Sequence, residues 1–192
     1  KVSASGKIQP EVEVKVSPDV SGEIVSLKVA EGDSVVVGQE ILKIRPDNYV
    51  SLLARAEAQV NAMKASTEQS KAVLAQSEAR LSKSKIDFDR NVKLHNDKVI
   101  SDADFDQFQS AYLVAKQDLE AAKANVKAAT FNVKSSETAL KDARTNLTKT
   151  TIYAPQSGII SKLNVELGER VVGTSQMAGT EMLRIANLNN ME

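Results

Sequence analysis

The sequence predicts an α+β protein in which a small β domain, split in two, carries a long antiparallel helical hairpin between its halves. Three observations predict it. Residues 47–151 contain neither Gly nor Pro, and all 8 Gly and 4 Pro lie on either side of that window. Inside the window, core-type residues recur every seven positions. The two flanks repeat one another, with a constant offset of 136 residues between Ser21–Val36 and Ser157–Val172.

The window reads as helix because Gly and Pro, which are costly inside helices and punctuate strands and turns, are missing from it. In its first half Leu53, Val60, Thr67, Leu74, Leu81, Phe88 and His95 form one row. Ala56, Met63, Ser70, Ser77, Ser84 and Asn91 interleave with them. In its second half Phe105, Tyr112, Leu119, Val126, Val133, Leu140 and Leu147 form one row, and Phe108, Ala115, Ala122, Ala129, Ser136, Ala143 and Thr150 the other. Such a/d spacing over about six heptads predicts a coiled coil. One row is mostly large and the other mostly small, so the partner backbone can come close on the small side.

Between the halves lies His95-Asn96-Asp97-Lys98-Val99-Ile100, followed by Ser101-Asp102-Ala103-Asp104. Ser101 is a suitable helix N-cap with Asp104 at the capping-box position, and Ile100 and Phe105 occupy the two places of a hydrophobic staple. A short turn between matched helices predicts an antiparallel hairpin. Each arm has roughly 47 residues, which at ~1.5 Å per residue gives a length of about 70 Å. The tip is expected at residues 94–102.

The flanks supply the β domain. The first runs Ser21-Gly22-Glu23-Ile24 through Gly32-Asp33-Ser34-Val35-Val36, and the second Ser157-Gly158-Ile159-Ile160 through Gly168-Glu169-Arg170-Val171-Val172. Glu40-Ile41-Leu42-Lys43-Ile44 and Glu181-Met182-Leu183-Arg184-Ile185 follow in turn. Apolar residues alternate with polar ones, as half-buried strands require. The Gly-Asp and Gly-Glu pairs mark tight turns. Neither copy alone can bury its apolar face, so residues 16–46 and 152–186 are expected to pair into one sandwich. Residues 1–15, with Val12, Val14 and Val16 alternating against charged neighbours, are expected to enter from a further β domain. Residues 187–192 are expected to return to it.

Composition narrows the function. Lys+Arg and Asp+Glu are 25 each, so the formal charge is zero, which argues against nucleic acid as a partner, since phosphate neutralisation needs a cationic surplus. With no Cys, a disulfide framework, a thiolate metal site and a thiol nucleophile are excluded. His95 is the only histidine, so a His-based metal site or charge relay has no second member; continuing a heptad row at the hairpin end, it is expected to be structural or solvent-exposed. No glycine cluster has the spacing of a phosphate loop. The helix carboxylates lie beside Lys at helical spacing, as ordinary surface support. Nothing points to catalysis, a metal or a cofactor.

The two copies of S-G-x-[IV]-x-x-[LV]-x-V-x-x-G-[DE]-x-V resemble the half-motifs of lipoyl/biotinyl domains. In a carrier domain the halves meet at a tight turn bearing a modified Lys. Here 107 residues separate Ile44 from Ile152, so neither Lys43 nor Lys149, the nearest candidates, sits in such a turn. This order of parts resembles the HlyD-type membrane fusion protein family of periplasmic adaptors, over essentially the whole chain. Arg90, Leu94 and Ser101, spaced +4 and +7, resemble the R-x3-L-x6-S tip motif of adaptors that engage TolC-like outer-membrane channels.

The resemblance implies a lipoyl-like β sandwich with an inserted coiled-coil hairpin. It implies a periplasmic place with attachment to the inner membrane, and self-association into a ring of about six copies. The partners it implies are an inner-membrane transporter and an outer-membrane channel, the latter met by Arg90, Leu94 and Ser101. The turns at Glu31–Val35 and Leu167–Val171 would face the ring axis. Hairpin length resembles the macrolide-exporter adaptors that serve ABC transporters; an RND-type adaptor and a plain coiled-coil tether remain the alternatives.

Overall fold

The computed structural model of the protein describes residues 10–174 and 179–191. The chain divides into two compact units, one formed by Lys1–Ala54 with Asp142–Glu192 and the other by Arg55–Lys141.

The first unit is the β domain. Its strands are β1 (Pro10–Val16), β2 (Gly22–Leu27), β3 (Ser34–Val35), β4 (Glu40–Ile44), β5 (Thr151–Tyr153), β6 (Gly158–Leu163), β7 (Arg170–Val171) and β8 (Leu183–Met191). They form two four-stranded sheets, ordered β1-β8-β6-β3 and β5-β4-β2-β7. All pairings are antiparallel.

The order shows that the two sequence copies exchange strands. Short β3 of the first copy pairs with β6 of the second (Ser34 with Ile159, Val35 with Gly158). Short β7 of the second pairs with β2 of the first (Glu23 with Arg170, Gly22 with Val171). Adding 136 to each first-copy residue turns one set of pairs into the other. The long hairpins match as well: Ile24 faces Ile44 and Leu27 faces Leu42 in one, Ile160 faces Ile185 and Leu163 faces Leu183 in the other. A register shift falls at the same place in both, between Ile24 and Ser26 and between Ile160 and Lys162.

Between the sheets lies a core that both copies share. Ile24, Val35, Leu42 and Ile44 are buried together with their counterparts Ile160, Val171, Leu183 and Ile185. Burial of such side chains stabilises by about 1.5–3 kcal/mol each, and half of this set belongs to either copy. A Cβ on Gly22 would run into the Ile44 side chain, and one on Gly158 into Ile185 and the Ala186 carbonyl. The serine-glycine start of each motif is thus a packing requirement. Gly32 and Gly168 instead carry positive φ, 92° and 87°, with open space around them; there glycine supplies the left-handed backbone that the turn needs.

At the domain surface a chain of charges joins three strands. Arg184 holds Glu181 and reaches Glu13 at 3.2 Å, Lys15 lies 3.6 Å from Glu181, and the Ser161 hydroxyl donates to Glu13 at 2.8 Å. The Arg184 hydrogen bond, with its charge and that of Lys15, holds the Glu181 carboxyl below its ordinary value, and Glu181 raises Arg184.

Helix α1 (Asp47–Asn96) leaves this domain and α2 (Asp102–Thr148) returns to it. Their ends are tied to the loop between β1 and β2: the Tyr49 hydroxyl donates to the Ser21 carbonyl at 2.8 Å, and Lys149 lies 3.0 Å from Asp19. Thr150, buried, accepts at its carbonyl from Ile44 N–H at 2.8 Å.

The second unit is the hairpin shaft. From Arg55 to Lys83 every residue that is not exposed belongs to one of the two heptad rows. In α2 the most buried positions are Ala115, Leu119 and Ala122. Polar Thr67 and Asn91 are buried in the seam of α1, and each satisfies itself by bonding back to its own helix, Thr67 to Met63 O and Asn91 to Asp87 O. Toward the tip Phe88 packs on Phe105 and Tyr112 with ring centroids 5.8 and 5.2 Å apart. Lower down, Arg80 bridges to Asp118 at 3.7 Å. These pairs fix the antiparallel register.

Candidate functional site: the hairpin tip

The tip is built by two helix ends of different construction. α1 closes in a Schellman motif: Val99 N–H donates to Leu94 O at 2.8 Å and Lys98 N–H to His95 O at 2.9 Å, which satisfies two of the orphan carbonyls of the last turn. Lys98 takes the left-handed place with φ 59°, where Gly or Asn is usual. α2 opens on Ser101, whose Oγ accepts from Asp104 N–H at 3.2 Å and donates to the Asp104 carboxylate at 2.7 Å. The carboxylate therefore binds the hydroxyl of the cap, where a capping box would have it bind the backbone.

His95 ties the two ends. Its ring stacks on Phe105 with centroids 4.5 Å apart, and Nε2 lies 2.9 Å from an Asp102 carboxylate oxygen. Charges suit the helix dipoles: Lys93 lies in the last turn of α1, Asp102 and Asp104 in the first turn of α2, each sign at the terminus that favours it.

Of the residues marked by the tip motif, Arg90 and Leu94 stand one turn apart on α1. The Arg90 side chain is 67% exposed and makes a loose 3.7 Å contact with Asp87. Leu94 is half-buried and Ser101 exposed. Leu94 lies in the last turn of α1, Ser101 caps α2 across the connecting turn, and Arg90 sits one helical turn below Leu94. Val99 is the residue that sequence reasoning missed: it is 67% exposed at the apex. Its signal was available, because it is apolar and has no heptad place. Asp102, the partner of His95, was missed as well.

Chemically the tip offers a planar multi-donor head, two apolar side chains and a hydroxyl. Those are the parts of a recognition surface, with Arg suited to bidentate contact with carboxylates or carbonyls. Among the described residues no group of three His, Cys, Asp or Glu could hold a metal ion. Lys43 lies inside β4 and Lys149 is paired with Asp19. Among the described residues no helix is long and apolar enough to cross a membrane.

This architecture of exchanged β halves joined by a coiled-coil hairpin is that of membrane fusion proteins. The chain belongs to that family: residues 12–180 match its RND MFP, barrel-sandwich hybrid domain. The chain is 27% identical over 190 residues to the macrolide export protein MacA of Escherichia coli O157:H7, covering 99% of this chain and 47% of that protein. It is 36% identical over 190 residues to the pyoverdine export membrane fusion protein PvdR of Pseudomonas aeruginosa, covering 99% and 44%. The crystal structure of MacA from Actinobacillus actinomycetemcomitans superposes with a TM-score of 0.72 at 25% identity, over 96% of this chain and 52% of that one. The chain spans about half the length of the curated relatives it matches.

Proposed function

We propose that this chain is the barrel-sandwich and hairpin portion of a periplasmic adaptor in a tripartite efflux or secretion pump. The adaptor is anchored at the inner membrane, binds a transporter there and reaches a TolC-like outer-membrane channel with its hairpin tip. It is connective, with no catalytic step. The observation that carries the reading is the tip itself, with Arg90 and Leu94 on the last turns of α1 and Ser101 at the start of α2, the connection braced by two caps and the His95–Asp102 contact. A braced tip keeps its donors and apolar groups in place, so little ordering entropy is lost on docking. Arg90 supplies hydrogen bonds to channel carbonyls or carboxylates, Leu94 an apolar knob for a groove between channel helices, and Ser101 a hydroxyl at the helix start. Several adaptors, about six by the family resemblance, gather their hairpins into a tube around the export path.

The transporter is of the ABC type in this reading, supported by the likeness to the macrolide export protein over nearly the whole chain. An RND transporter is the second reading, favoured by the family description and by 30% identity over 178 residues to the multidrug export protein AcrE of Escherichia coli. Affinity purification of the full-length protein from its native envelope tests both. Recovery of an ABC permease is the expected result. An RND transporter in its place moves the chain to the second reading, and the absence of any transporter contradicts the adaptor.

A further inference from the structure

Over residues 59–76 of α1 and 121–139 of α2 the hairpin shaft carries its charge on one side, and the heptad rows show which side. In an antiparallel pair, positions just after one core row (57, 64 and 71 on α1; 116, 123 and 137 on α2) share a face with the next outward row. The positions on the other side of the core (59, 66, 73 and 80 on α1; 118, 125, 132 and 139 on α2) share the opposite face. The Arg80–Asp118 bridge confirms that these last two rows meet. A groove on the same face is lined by Val73, Ser77, Ala122 and Asn125.

On the first face lie Lys64, Lys71, Lys123, Lys127 and Lys134, with Glu68 and Glu120 among them, all exposed. On the second, Gln59, Ser66, Val73, Asn125, Asn132 and Ala139 are exposed and uncharged. Nearer the tip the same face carries Arg80 and Asp118, paired with each other, and Lys83. The outer edge of α2, opposite its core, is also free of charge from Val114 through Phe131 (Gln117, Ala121, Ala124 and Ala128 lie between), and Val114 and Phe131 are 60% and 62% exposed.

We propose that the uncharged face, with Ser66, Asn125 and Asn132, lines the inside of the tube of hairpins, and that the lysine-bearing face looks out into solvent. This rests on the adaptor reading. Three physical reasons favour the orientation. A face in bulk water benefits from charge, which keeps it solvated and free of unwanted association. A conduit must bind its cargo weakly enough to release it, and over residues 59–76 and 121–139 a wall lined by amides, hydroxyls and methyls holds no fixed charge that would trap ions of either sign. The outer edges then face neighbouring copies, where exposed Phe131 finds a partner surface. In a ring without axial offset, residues whose numbers sum to about 198, as Arg80 and Asp118 do, share a height. Phe131 thereby meets the uncharged stretch around Ala65 on the next copy, and Glu68 falls between Lys127 and Lys134. The cargo implied is a solute accepted by size, without selection by charge at the shaft.

The chain has no cysteine, so single-cysteine variants test this cleanly in the full-length protein within its native envelope. Ser66→Cys and Asn132→Cys report the uncharged face, Lys64→Cys and Lys134→Cys the charged one, each with a bulky maleimide-polyethylene glycol. Rates are taken as ratios to those in cells lacking the channel and transporter, which cancels the effect of neighbouring lysines on thiol reactivity. The expected result is about tenfold protection at 66 and 132, where access requires opening of the tube, and none at 64 and 134. Protection at 64 and 134 alone, or equal protection on both faces, overturns the orientation while leaving the adaptor reading in place. No change at any position on removal of channel and transporter shows that the hairpins enclose nothing, and removes both.

Discussion

Gly32 donates its N–H to the Ile160 carbonyl at 2.9 Å, and 136 residues later Gly168 donates to Ile24 at the same 2.9 Å. The neighbouring bonds repeat too: Ile24 N–H to Glu169 O and Ile160 N–H to Asp33 O, at 2.9 and 3.0 Å. Each turn of one copy is therefore held by the strand of the other. Equivalent substitutions should have equivalent effects. Gly32→Ala and Gly168→Ala each force an L-residue into the left-handed region and should each cost about 1–2 kcal/mol, since no steric neighbour adds to it. Chemical denaturation checks the equality; a large effect at one turn only would break the symmetry.

The shared core predicts a single transition for the β domain. Ile24→Ala and Ile160→Ala should each cost about 2–5 kcal/mol, and either should unfold both copies together. Calorimetry or near-UV circular dichroism of the two variants measures this. Survival of one half while the other melts would contradict strand exchange.

At the tip, stability and recognition separate. Ser101→Ala removes an N-cap and should cost about 0.5–2 kcal/mol, so any loss of channel binding in that variant is ambiguous. Arg90→Ala, on an exposed side chain, should stay within about ±0.5 kcal/mol. Lys98→Gly relieves the positive φ and should stabilise the hairpin by up to about 1 kcal/mol. Thermal melts rank the three.

The Glu181–Arg184 contact gives a pH signature of known sign. The folded Glu181 carboxyl titrates below its ordinary value of 4.5, so its contribution is complete above that value and disappears as pH falls through the lower folded value. The contact lies at the surface and the effect is small. Melting temperatures of the protein and of Glu181→Gln should differ at neutral pH and converge in acid. Divergence on acidification would carry the wrong sign.

Much of this was legible in the chain because it is periodic. Leu53, Val60 and Thr67 on α1 and Ala115, Leu119 and Ala122 on α2 occupy the seam that the heptad placed them in, and Ser101 caps α2. The exchange of β3 and β7 was not legible. A strand of two residues has no alternation to read, and its partner lies more than 120 residues away in sequence. Lys98 in a left-handed Schellman place was hidden for another reason: Gly or Asn signals that conformation, and Lys does not. The contacts of Tyr49 with Ser21 and Lys149 with Asp19 join residues by tertiary geometry alone. In the tip, Arg90, Leu94 and Ser101 stood out by spacing, whereas Val99 could be marked only by what it lacks, a heptad place for an apolar side chain.

The most direct test is a photo-crosslinking residue placed at Arg90 or Leu94 of the full-length protein in its native envelope. Capture of an outer-membrane channel, lost when the probe moves to the exposed shaft position Ala65, is the predicted result. A folded, expressed protein that captures no channel from either tip position would contradict the proposed docking by the hairpin tip.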